Sequence, residues 1–347
     1  MQTPRIKWLD IMKCLGIFAI YLGHFGPSAG YSYDFVFSHH VALFFFAAGC
    51  TEAISRDSGN IISYVSKRIK AILLPYFVFA LFSIVVYALT VNAGTTLVLA
   101  EIDAMLKGAI RNTFCAGGLW FLTCLFVVQV IFIILKKVNY KSIILVISLL
   151  IFFAVQHMIV PSPIVAPRFV YNIDSALYFF PFYVLGYVLF PGIQLFLSDL
   201  KKFRVIIMVF TAISFTYSVL LFFQKDLLIP LDPIPILGTY TPIMRALLII
   251  WLYIIVSRCL QNNKTLNSIG RNTLYLCGSE YLAKTGISAF LGIAEVSVTI
   301  SYPLSAYVYS AFLIYIANRF LVPIEKKIMN RITKHLFLKS SSKVVKM

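Results

Sequence analysis

Runs of about twenty apolar residues recur along the whole chain, and no other feature limits its fold so strongly. An α-helix of that length, rising 1.5 Å per residue, matches the hydrocarbon core of a bilayer. A segment inside that core must satisfy its own backbone polar groups, which a helix does and an isolated strand does not. Ten runs can be drawn, at approximately 9–27, 35–54, 72–92, 118–135, 142–160, 173–192, 205–223, 240–257, 269–289 and 298–318. Of the 347 residues, 60% are hydrophobic and only 12% charged, which excludes an ordinary soluble domain. The sequence therefore predicts an all-α integral membrane protein, a bundle of about ten transmembrane helices. The first run keeps its polar residues and shows no small-residue cleavage site, so it reads as a retained helix rather than a signal peptide.

Charge sets the expected orientation. With the N-terminus placed inside, most of the 30 Lys and Arg residues fall on the inner side, in short loops such as those carrying Lys136, Lys137 and Lys141. Basic residues favour the cytoplasmic face, so both termini are expected in the cytoplasm and the chain as a multi-pass protein of the cell membrane. The net charge of +17 does not point to nucleic acid, because no basic run is interleaved with base-stacking aromatics. The six cysteines show no paired spacing and read as small core residues, neither a disulfide framework nor a zinc site. No metal site is expected. Residues 1–318 read as one transmembrane domain, and residues 319–347 as a basic cytoplasmic tail attracted to anionic membrane lipids.

Ionisable residues inside the runs are the functional signal, since each is expensive in hydrocarbon. The stretch "WLDIMKCLGIFAIYLGHFG" carries Asp10, Lys13 and His24. On a helix Lys13 and His24 share a face to within about 20°, with Asp10 about 40° away. His24 lies about 21 Å along the axis from Asp10, so Asp10 cannot orient it. The first helix thus marks two sites, one near each membrane surface. Depth places His39, His40, Arg245, Glu280 and Lys284 near His24, and Lys67, Arg68 and Lys70 near Asp10 and Lys13. Bland readings stand beside these: Asp10 with Lys13 as a structural ion pair, and Glu280 with Lys284 as an i, i+4 pair that neutralises itself. A histidine on the inward face suits proton transfer near neutral pH.

These residues also resemble a known family, the integral-membrane acyltransferase family 3, O-acyltransferases of bacterial surface glycans. "LDIMKCLGIFAIYLGHFG" is similar to its opening, a basic residue followed after ten positions by a histidine, here Lys13 and His24. "SHHVALFFFAAGC" resembles its second helix, with His40 and Gly49 in the His and Gly positions. "VSKRIKAILLPYF", "GLWFLTCLF", "YVLGYVLF" and "IGRNTLYLCGSEYL" resemble further elements, in family order. Glu280 stands where many members carry a histidine, which puts that position's family role in doubt. No esterase-like extracytoplasmic domain is expected, so the resemblance is to the membrane-only form.

The resemblance implies acyl-CoA, commonly acetyl-CoA, as co-substrate, and a hydroxyl of a glycan or lipid-linked sugar as acceptor. The residues give this a layout. Lys67, Arg68 and Lys70, joined by Lys13, would meet the phosphates of coenzyme A. The thin pantetheine arm would run up the first helix to His24, the expected general base, oriented by Glu280 or His40. Arg245 or Trp120 would stabilise the oxyanion. The competing reading is a transporter or exporter of a glycan or its precursor, although the internal symmetry common in carriers is not visible.

Overall fold

The computed structural model describes residues 5–55, 60–159, 163–295 and 299–344. Every regular element among them is helical. Eight segments are long and apolar enough to cross a membrane: Ser32–Ala53, Ile61–Thr90, Gly117–Val138, Lys141–Met158, Val170–Ser198, Arg204–Phe222, Ile236–Leu260 and Pro303–Leu336. Each takes up one of the ten apolar runs.

The other two runs are also helical, but short or broken. The first forms α1 (Lys7–Gly23), which ends one residue before His24. The ninth is divided into α12 (Lys264–Arg271), α13 (Thr273–Gly278) and α14 (Glu280–Ile293). The breaks fall at Asn272 and Ser279, residue types whose side chains compete for backbone hydrogen bonds. The Ser279 hydroxyl does so, donating to the Tyr275 carbonyl at 2.7 Å. Asn272 instead donates to Asn318 at 2.7 Å and accepts from Lys326 at 2.5 Å. The two interrupted runs are those that carry His24 and Glu280.

The remaining helices in chain order are α2 (Ser32–Phe37), α3 (His40–Ala53), α4 (Ile61–Arg68), α5 (Leu74–Thr90), α6 (Thr95–Leu106), α7 (Trp120–Leu135), α8 (Lys141–Ala154), α9 (Ile173–Ser198), α10 (Arg204–Phe222), α11 (Pro235–Leu260), α15 (Pro303–Ile316) and α16 (Val322–Val344). α6 is an element the apolar runs did not anticipate, and it is too short to span. A π-helical turn, Ile69–Leu73, joins α4 to α5, so that span begins earlier than the run at 72–92.

α1 is the central post, packed against α2, α3, α11, α12, α13 and α15. Glycines permit two close approaches. At the crossing of α3 and α9, a Cβ on Gly49 would lie 1.9 Å from the Tyr183 carbonyl oxygen, and one on Gly186 would lie 2.0 Å from that of Phe46. Only glycine fits, the usual means by which membrane helices approach closely. At the crossing of α1 and α12, a Cβ on Gly270 would lie 1.7 Å from the Asp10 carbonyl oxygen. The Phe45 and Phe179 rings stack across the first crossing, 5.0 Å apart, within one large apolar core.

The expected tail boundary at residue 318 is not a structural break. A π-helical turn, Ala317–Leu321, carries α15 into α16. The first part of α16 packs on the bundle, with Val322 and Met329 buried. Residues 345–347 of the tail lie outside the described residues. Cys14, Cys50, Cys124 and Cys277 are buried as expected, Cys115 is half-buried, and Cys259 is exposed.

Candidate active site

α1 ends at Gly23, and His24 caps it with its backbone N–H on the Ile20 carbonyl at 3.1 Å. This leaves the imidazole free of the helix face, with its side chain 36% exposed. Glu280 opens α14, where the helix dipole favours a negative charge, and its side chain is only 6% exposed. The two meet: His24 Nδ1 lies 2.7 and 2.8 Å from the Glu280 carboxylate oxygens. With Nδ1–H donating to the carboxylate, Nε2 keeps its lone pair. Lys284, one turn along α14, donates to the same carboxylate at 2.6 Å and lies over the Phe25 ring, 4.9 Å from its centroid. The two readings of Glu280 are therefore both realised, as partner of His24 and as ion-pair partner of Lys284. Tyr21 fixes the frame, donating from α1 to the Leu276 carbonyl of α13 at 2.8 Å.

His24, Glu280 and Lys284 line a cavity of about 260 Å³, walled otherwise by Gly117, Gly118, Cys277 and Tyr281 among others. A second cavity, about 280 Å³, is lined by Lys13, Glu52 and Arg68 and by apolar residues including Ile20, Phe44 and Leu125. Cys277 lines both cavities. The polar face of α1 thus has a cavity at each end, and the two share one wall residue.

At the Lys13 end, Asp10 accepts from Arg5 at 2.8 Å and pairs with Lys13 at 3.0 Å, so the structural ion pair is present. Lys13 nonetheless lines the second cavity. Arg68 lines it too, but Lys67 and Lys70 do not. The basic mouth is narrower than the sequence suggested, and it contains an acid that sequence reasoning passed over. Glu52 is 2% exposed, accepts from Arg68 at 3.1 Å, Tyr64 at 3.1 Å and Lys136 at 2.8 Å. A buried carboxylate needs such partners. Its signal was available, as an acid near the end of an apolar run.

Three other expected site residues lie elsewhere. His40 does not orient His24; it is buried and donates from Nδ1 to the Val36 carbonyl at 2.6 Å, one turn back on its own chain. Arg245 does not reach the cavity. It is held between Asp226, at 2.5 Å, and Asp232, at 2.9 Å, so its charge is spent on a loop clasp. Trp120 does not line the cavity of His24 either, and its ring instead carries the Arg111 guanidinium 4.8 Å above its centroid. Arg111 in turn donates to the Ile164 carbonyl at 2.9 Å. Shared depth along a membrane normal does not fix which way a side chain points around its helix.

A bundle of spanning helices thus holds a His–carboxylate pair over one cavity and Lys13 and Arg68 on another. The family comparison decides the class: the model of the acyltransferase 3 family, an acyltransferase domain, matches residues 6–318. The chain belongs to the acyltransferase 3 family. Comparison with curated proteins and with solved structures found no match. This acyltransferase 3 chain is a multi-pass membrane acyltransferase, and the match covers both α1 and the α12–α14 break on which the two cavities depend.

Proposed function

We propose that this enzyme moves an acyl group, acetyl in the simplest case, from acyl-CoA to a hydroxyl of a glycan or lipid-linked sugar. The observation that carries the reading is the His24–Glu280 pair over one cavity, which shares the wall residue Cys277 with a second cavity lined by Lys13 and Arg68. The donor enters at the Lys13 end, where cations face its phosphates. By the distribution of basic residues this end faces the cytoplasm. Its arm lies along α1 and brings the thioester to the His24 cavity.

His24 Nε2 takes the acceptor hydroxyl proton as the oxygen attacks the thioester carbonyl. The carbonyl oxygen becomes an oxyanion, and the ammonium of Lys284, which lines the cavity, stabilises it. Collapse breaks the C–S bond, and the proton on His24 passes to the departing thiolate. Glu280 holds the ring by Nδ1 and offsets the imidazolium charge formed in between. A positioned base of this kind contributes roughly 10²–10⁴-fold.

The test is transfer of labelled acetyl from acetyl-CoA to endogenous glycan in membranes carrying the protein. Label above that of control membranes supports the reading. Purified protein that neither transfers acetyl nor binds CoA overturns it.

A further inference from the structure

Gln129 lies near the middle of α7, roughly 13 Å along the axis from Trp120. It lines the Lys13-end cavity beside Phe44, Leu122 and Leu125 and is 5% exposed. Its carboxamide oxygen is buried and has no hydrogen-bond partner among the described residues. Buried polar groups are nearly always satisfied, and an orphan one costs stability. α7 is otherwise almost wholly apolar, "WFLTCLFVVQVIFIIL", so a leucine here would suit the packing better. The group is kept for a partner that the chain itself does not supply.

The surroundings restrict that partner. The charged residues of the cavity, Lys13, Glu52 and Arg68, are already engaged in ion pairs. Apart from those, Gln129 itself, Thr51 and Thr273, the lining is apolar, and a further charged ligand group there would be desolvated without compensation. A carboxamide both accepts from an N–H and donates to a C=O, so its best complement is a neutral secondary amide on a narrow chain. The pantetheine arm of acyl-CoA carries two such amides between its phosphates and its sulfur.

We propose that Gln129 is the residue that grips an amide of the donor's arm inside the second cavity. The role rests on acyl-CoA being the donor. The hydrogen bond fixes how far the arm advances, and so the depth at which the thioester meets Cys277 and the His24 cavity. Gln129 is therefore a binding and register residue that takes no part in proton transfer.

Gln129→Leu separates this role from a structural one by two readouts of opposite sign. Removing the orphan group leaves the unliganded protein as stable as wild type or more so. The same change strands the donor's amide in an apolar cavity and weakens binding about ten-fold. The experiment measures calorimetric binding of CoA and of adenosine 3′,5′-bisphosphate, which lacks the arm, to the full chain in lipid nanodiscs, together with the thermal midpoint. The expected result is about ten-fold weaker CoA binding in Gln129→Leu, unchanged bisphosphate binding, and a midpoint no lower than wild type. Wild type and variant binding CoA equally overturns the assignment, as does a lower midpoint with both ligands weakened alike. Wild type that binds no CoA removes the donor reading itself, a failure distinct from that of Gln129.

Discussion

Replacing Glu280 by Gln keeps the size of the side chain and removes the charge that faces His24. Three contacts are affected: the 2.7 and 2.8 Å approaches of Nδ1 to the carboxylate oxygens, which bear on His24, and the 2.6 Å ion pair with Lys284. A hydrogen bond to a charged group contributes about 1.5–3 kcal/mol, and at 1.36 kcal/mol per factor of ten that is roughly 10–150-fold. The contact strengthens as the imidazole gains its proton in the transition state, so the loss belongs in turnover. In the proposed layout the donor is held from the other end of α1, so the KM for acetyl-CoA stays within a factor of about two. The assay is initial-rate transfer of labelled acetyl by purified enzyme across a range of acetyl-CoA concentrations. A variant within two-fold of wild type in kcat refutes the positioning role. A loss confined to KM does so equally, because it makes Glu280 a binding group.

Three further outcomes are expected. Arg68→Ala, which removes a cation from the second cavity, raises the Kd for CoA several-fold and leaves turnover of bound donor nearly unchanged, as a single-turnover measurement shows; a pure turnover loss contradicts it. Arg245→Ala leaves catalysis intact but costs about 1–3 kcal/mol of stability, measured as a fall in thermal midpoint, because the half-buried Asp226 loses its cation and keeps only the Tyr217 hydroxyl and the Leu228 N–H as donors. Hydrogen bonds from the Thr241 hydroxyl and from Arg245 hold the Asp232 carboxyl below its ordinary 3.8, so its small contribution is full above that value and is lost as pH falls through the lower folded-state value. That acid limb should weaken in the Arg245 variant. Gly49→Ala, with a Cβ forced to 1.9 Å from the Tyr183 carbonyl, costs about 1–3 kcal/mol by overpacking and lowers the midpoint whatever the substrate.

Much of the molecule is legible in the sequence because the bilayer allows so few solutions. Apolar run length located the eight spanning segments and the two shorter or broken helical runs, though not α6, and the cost of charge in hydrocarbon singled out Lys13, His24 and Glu280. What it did not reveal depends on rotation and on partners distant in sequence. His40 and Arg245 lie at a depth compatible with His24, yet their side chains are taken by Val36 and by Asp226 with Asp232. Nor does a run of apolar letters show that the ninth span breaks at Asn272 and Ser279. Glu52 was visible as an acid in an apolar run, but its link to Lys136, 84 residues away, is tertiary. Gln129 carries no charge and so raised no signal, although its unpartnered oxygen is a plain fact of the packing.

The most direct test of the account is acetyl transfer from acetyl-CoA by His24→Gln beside wild type, with CoA binding measured on the same preparations. The account predicts wild-type transfer, a loss of at least about 100-fold in the variant, and equal CoA affinity in both. A His24→Gln enzyme that binds CoA and transfers acetyl at a rate near wild type contradicts it.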